Sequence, residues 1–248
     1  MDAHNALEPA LAHRPPHDGG GDPALPGDAR WRLRGAATDN PPPRETAAGE
    51  PEHAPRDAEL WQLARRTQGA ALRLDFELRT ALARQIFRRD FVYVSRQLHG
   101  LEASRRVQGL DRACLTDALA ALARRADDIG ALLEGMDADL QAAIAARGPA
   151  NARIAFARPA RFQATIVSPA AHRYLALLTQ ADATLARLEM AWLLGLVAPA
   201  NRTALASDCR RALQGFKDLA ADRRQAVGEL VRAVNARRRE GAATDPPD

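Results

Sequence analysis

Lysine is almost missing from this chain of 248 residues: Lys217 stands alone beside 34 arginines. Cysteine is nearly as scarce: Cys114 and Cys209 form no Cys-x-x-Cys pair, and a disulfide between them is the alternative to two free thiols. Both lie on helical patterns and are expected to be free thiols of a reducing cytoplasm. No run of about 18 apolar residues occurs, so no membrane-spanning helix is expected. Walker loops, Gly-x-Ser-x-Gly elbows and His-Glu-x-x-His sites are all absent, and no enzyme activity is expected. Four of the six histidines (4, 13, 17 and 53) lie near the start of the chain, and His99 and His172 have no partner at ligand spacing. Asp127-Asp128 and Asp137/Asp139 sit on a leucine-seamed helix without sign of a cleft and read as solvated charges. No metal, cofactor or small-molecule substrate is expected.

Proline and glycine are concentrated in residues 1–57, which hold ten of the sixteen prolines and six of the sixteen glycines. That segment has no apolar periodicity. It cannot bury enough surface to offset its ordering entropy, so it is predicted to be a disordered tail. It has no basic start followed by an apolar run, so it is not expected to be a secretory signal. Its net charge is −4, which leaves +8 on residues 58–248. A basic folded part suits a polyanionic partner. The arginine and alanine excess also fits a GC-rich coding bias, which inflates basicity without selecting for DNA.

The rest is predicted to be a single domain over 58–240, with 241–248 frayed. The fold class expected is mainly α: a bundle of long helices with a small two-stranded antiparallel β element. Asp57 can cap a short helix carrying Leu60, Trp61 and Leu63-Ala64 and stopping at Gly69. Residues 72–80 alternate apolar and charged side chains, the clearest strand pattern in the chain. Thr80 can cap a following helix through Ile86 and Phe87. Phe91–Val94 suits helix or strand equally, and 96–109 reads as a connection. Leu115, Leu119, Leu122, Ala126, Ile129, Leu133, Met136 and Leu140 recur every four and three residues, predicting a helix over roughly 111–147 that ends at Gly148-Pro149. Tyr174, Leu178, Ala181, Leu185, Leu188 and Trp192 predict another, stopping near Gly195. A last helix is expected from about Asn201 to Arg239. Its outer face carries Arg210, Arg211, Lys217, Arg223, Arg224, Arg232 and Arg237-Arg238-Arg239, a candidate for phosphate contact or simply a solvated basic face.

Residues 161–169 carry the functional expectation. Phe162, Ala164 and Ile166 alternate with Arg161, Gln163 and Thr165, and Ser168-Pro169 then supplies an N-cap and an N1 proline. A basic, an amide and a hydroxyl group on one strand face can bond base edges or phosphates, and a two-stranded ribbon fits the major groove. The expected DNA-binding residues are Arg161, Gln163, Thr165, Ser168 and Arg158. The other strand shows Arg73, Asp75, Glu77 and Arg79, whose acids would repel phosphate. The strands could pair within the chain or across a dimer.

The order of elements adds a family resemblance. Leu-x-Leu-x-Phe-x-Leu-Arg-Thr-x-x-Ala-Arg at 72–84, the leucine-rich middle helix and Phe-x-x-x-Ile-x-Ser-Pro at 162–169 lead into Tyr174, Leu177-Leu178, Asp182, Trp192 and Gly195. Over roughly 70–220 this resembles the AcaB-like family of plasmid and integrative conjugative element proteins. The resemblance implies a mobile-element protein and, for its best-understood members, a DNA-binding transcriptional regulator with a ribbon-helix-helix element; such a regulator is expected here to be a homodimer without cofactor. Arg161, Gln163 and Thr165 would carry the DNA contact. One departure is visible: a ribbon-helix-helix has two short helices after its strand, whereas a single helix of about 25 residues is predicted here. The alternative is a helical partner protein of the conjugation machinery that associates through its leucine seams and binds no DNA.

Overall fold

Caps set the helices where the sequence places them. The computed structural model describes residues 52–53, 57–67 and 69–244. Strand β2 (Leu72–Leu78) is followed by Thr80, whose Oγ1 accepts from the Ala83 N–H and starts α2 (Ala81–Ala103). Asp111 does the same for α3 (Arg112–Arg147), accepting from Ala113. Ser168, followed by Pro169 at the first helical position, starts α4 (Pro169–Leu193). Gly195, at φ +71°, occupies the left-handed region that turns the chain out of α4 and toward α5 (Pro199–Thr244). Ahead of these come β1 (Glu52–His53) and α1 (Asp57–Arg66).

Strand β3 (Ala160–Ile166) pairs antiparallel with β2 in one chain, from Leu72 opposite Ile166 to Leu78 opposite Ala160. Two residues of β1 add a short parallel pairing on the other edge of β3. That places strand structure at 52–53, inside the segment expected to be a featureless tail. Residues 1–51, 54–56 and 245–248, which carry the rest of the disorder expectation, lie outside the described residues. Helix α5 continues to Thr244, beyond the fraying expected at Gly241.

Cross-contacts give the helix directions. Asp90 of α2 bonds Lys217 of α5 and Gly100 faces Arg224, so α2 and α5 run parallel. Leu133 meets Thr184 and Asp127 pairs with Arg173, so α3 and α4 are also parallel. Thr80 bonds Asp182 and Phe91 stacks on Tyr174, so α2 and α4 oppose one another. Parallel neighbours need a crossover, and residues 148–168 supply it, carrying β3 back along the bundle.

Residues 91–103 are helical, which resolves the ambiguity at Phe91–Val94 and corrects the connection expected from residue 96. Phe91, Val94, Leu98 and Leu101 recur at spacings of three and four and are fully buried, each side chain contributing about 2 kcal/mol. The few aromatics are used as a spine. Phe76 and Phe162 of the ribbon meet Phe87, which leads through Phe91 and Tyr174 to Phe216 of α5, with ring centres 4.9–6.5 Å apart. Phe156 is the one phenylalanine outside it.

The single lysine has a structural place. Lys217 Nζ donates to buried Asp90 at 3.0 Å, and Arg89 Nη2 donates to the same carboxylate at 2.7 Å. Burial by itself would raise the Asp90 carboxyl, but these hydrogen bonds outweigh it and hold the group below its ordinary value. Both cysteines are free; burial first, then the charge of Asp208, pushes the Cys209 thiol up to about 11, so it stays protonated and inert.

Candidate nucleic-acid interface

The strand expected to read DNA does not present its three polar side chains together. Thr165 is wholly buried: its Oγ1 donates to Asp57 Oδ2 at 2.6 Å, and its backbone N–H donates to Asp57 Oδ1 at 3.1 Å. Asp57 thus satisfies the β3 edge just past the end of β1 and ties α1 to the sheet. Ser168 is also buried, with its Oγ accepting from Ala171 as the α4 cap. Gln163 is half-buried and donates its side-chain amide to Asp75 Oδ1 at 2.8 Å. Of the strand's three polar residues only Arg161 is exposed, and it stands opposite Glu77 in the ladder. On this face Arg73 and Arg161 are offset by Asp75 and Glu77, and Arg73 lies over the Trp61 ring at 4.6 Å. Thr165 and Ser168 are therefore structural residues. Alternation put the Thr165 hydroxyl on the outer side correctly, but α1 covers that end of it.

The consequence is measurable. Thr165→Val removes the donor to Asp57 and leaves a buried carboxylate oxygen unpaired, at an expected cost of about 1–3 kcal/mol in urea denaturation. Affinity for duplex DNA, measured where the variant is folded, should not change. Weakened DNA binding at unaltered stability would restore the strand as the reading element.

Arg158, the fifth expected residue, is exposed and lies elsewhere, on the segment leading into β3. It faces the outer stripe of α2. Ala81, Arg84, Gln85, Arg88 and Arg89 follow helical spacing, and together with Arg158 they line a groove of about 570 Å³. No acidic side chain is among these lining residues. The arginines are held in place. Arg84 donates Nε to the Thr80 carbonyl at 3.3 Å and Nη1 to the Arg158 carbonyl at 2.6 Å. The Arg88 guanidinium lies 5.4 Å from the centre of the Phe162 ring. Arg89 shares its charge with Asp90.

The helix that carries the stripe is fixed at its start. Asp182 of α4, 2% exposed, accepts the Arg79 N–H at 3.0 and 3.1 Å, the Thr80 N–H at 2.8 Å and the Thr80 hydroxyl at 2.7 Å. One carboxylate thus satisfies the turn from β2 into α2 and sets the helix against α4.

Reading the sequence for apolar faces missed Arg84, Gln85 and Arg88. Their spacing opposite Ile86 and Phe87 was the available trace, but nothing local marks Arg158 as their neighbour. On α5, Lys217 is taken up by Asp90 and Arg224 lies against Gly100, whereas Arg210, Arg211, Arg223, Arg232 and Arg237–Arg239 are exposed. Among the described residues no cluster of His, Cys, Asp and Glu suits a metal, and no helix is long and apolar enough to cross a membrane.

No family model matches this chain. None of the curated proteins matches it either. Among solved structures, the crystal structure of selenomethionine-containing AcaB from uropathogenic E. coli is similar, with a TM-score of 0.62 over 71% of this chain and 89% of that one, at 14% identity. The likeness is one of fold, and the architecture is AcaB-like.

Proposed function

We propose that the protein is a DNA-binding transcriptional regulator of a conjugative or integrative mobile element, and that it grips duplex DNA with the arginine groove of α2 rather than with its β-ribbon. The groove carries the reading: Arg84, Arg88 and Arg158 converge beside Gln85 and the Asp90-paired Arg89, and no carboxylate is among its described lining residues. Guanidinium forks match phosphate oxygens, and an amide between them can bond a base edge. The AcaB-like fold and the sequence resemblance support the mobile-element setting.

The seams that would serve a partner protein are spent inside the chain. Leu115, Leu122, Ile129, Leu133 and Leu140 are all buried against neighbouring helices. This favours DNA over association through those stripes.

A salt titration of the purified full chain with labelled duplex DNA tests the reading. Affinity should fall with salt at a log–log slope of about −2 to −3, one phosphate for each of Arg84, Arg88 and Arg158. Arg161→Ala, on the charge-balanced ribbon, should leave that slope nearly unchanged. Absent binding, or binding insensitive to salt, would overturn the proposal.

A further inference from the structure

A second cleft adjoins the groove and has a different chemistry. It lies between the start of α2, the end of α4 and residues 154–158, and encloses about 440 Å³. One side is cationic: Arg84 and Arg158 line it, beside Arg79, whose Nε is already 3.5 Å from the Asp182 carboxylate. The other is apolar: Ile154, Phe156 and Leu193. Leu193 is 67% exposed, although a leucine at the end of a long helix beside a hydrophobic loop has apolar neighbours within reach. Phe156, left out of the aromatic spine, lines the same cleft. The one acid at its rim, Glu189, is occupied by Arg202, which donates Nε at 3.0 and 3.1 Å and Nη2 at 2.7 Å.

An apolar wall facing the Arg84 and Arg158 guanidinium groups is complementary to a molecule with an anionic head and a short hydrocarbon body. The volume lies within the range of small-molecule sites. Arg84 and Arg158 line both this cleft and the groove, so one anion held here draws on the same charges that a phosphate would use. We infer that the cleft binds a small amphipathic carboxylate, and that this ligand is an effector which weakens DNA binding by competing for Arg84 and Arg158. The second half rests on the proposed function; the first does not.

Octanoate is a suitable probe for calorimetry on the full chain. It should bind with a Kd of about 1 mM or tighter, as expected for a ligand of its size. Octanol, which lacks the charge, and acetate, which lacks the body, should each bind at least about tenfold more weakly. Leu193→Glu places a charge on the apolar wall at an exposed position. It should weaken octanoate about tenfold or more without shifting Tm. No heat of binding, or equal affinity in Leu193→Glu, would overturn the site, as would capture of anionic lipid vesicles in place of free octanoate. Saturating octanoate should lower duplex affinity, and an unchanged DNA isotherm would overturn the competition. Octanoate binding in a protein that ignores DNA would keep the cleft and remove the DNA reading; the opposite pair of results would do the reverse.

Discussion

Asp182→Ala is expected to cost about 3–5 kcal/mol. The carboxylate is buried and accepts two backbone N–H groups and one hydroxyl, with Arg79 Nε a further 3.5 Å contact. Truncation strands those donors away from water, and each orphaned group costs about 1–3 kcal/mol. The donors belong to the junction of β2 and α2, so the loss also frees α2 from α4. A domain stable by about 5–15 kcal/mol would lose a large share of its margin. Asp182→Asn should lie between the two, because its carbonyl oxygen still accepts while its NH2 group meets donors head-on. The midpoint of urea denaturation reads both variants. A shift equivalent to under about 1 kcal/mol for alanine would show that the junction holds without this residue.

The triple substitution Arg84→Ala, Arg88→Ala, Arg158→Ala should abolish most DNA affinity while leaving the fold intact. Each phosphate contact contributes about 0.9 to the salt slope, so losing three flattens it by about 2–3 and weakens binding some 10²–10³-fold at about 0.1 M salt. The structural cost is modest: Arg88 and Arg158 are exposed, the Arg88–Phe162 contact adds about 0.5–1 kcal/mol, and half-buried Arg84 gives up two hydrogen bonds to backbone carbonyls. Net charge falls by three, so the control must match it. Arg105, Arg112 and Arg147 are exposed and do not line the groove, and replacing them with alanine changes total charge equally. Equal flattening in both triples would mean that overall basicity, not the groove, drives binding.

Much of the architecture could be read from short-range pattern. Thr80, Asp111 and Ser168 cap the helices they precede, Gly195 ends α4, and the four-three leucine spacing of α3 is its buried face. The alternating strands exist and pair. Reading failed where polar spacing hid buried anchors, as in 96–103, where Leu98 and Leu101 hold the helix.

The site was legible only in fragments. Thr165 looked available because its neighbours alternate correctly; what hides it is Asp57, 108 residues away in sequence. Arg84 and Arg88 carry helical spacing, but Arg158 reaches Arg84 from 74 positions along. Asp182 looked like one polar residue on an apolar helix, and its partners lie 102 and 103 residues earlier.

What the sequence alone determined is what is settled within a turn or two of chain: the capped starts of α2 and α4, the apolar stripes, and the alternation of β2 and β3. Tertiary structure alone decided which polar groups are spent on holding the fold and which are left facing outward. The reason is range. Capping and periodicity act between residues at most a few positions apart, whereas the desolvation of a hydroxyl or the convergence of guanidinium groups depends on segments brought together only when the chain has folded.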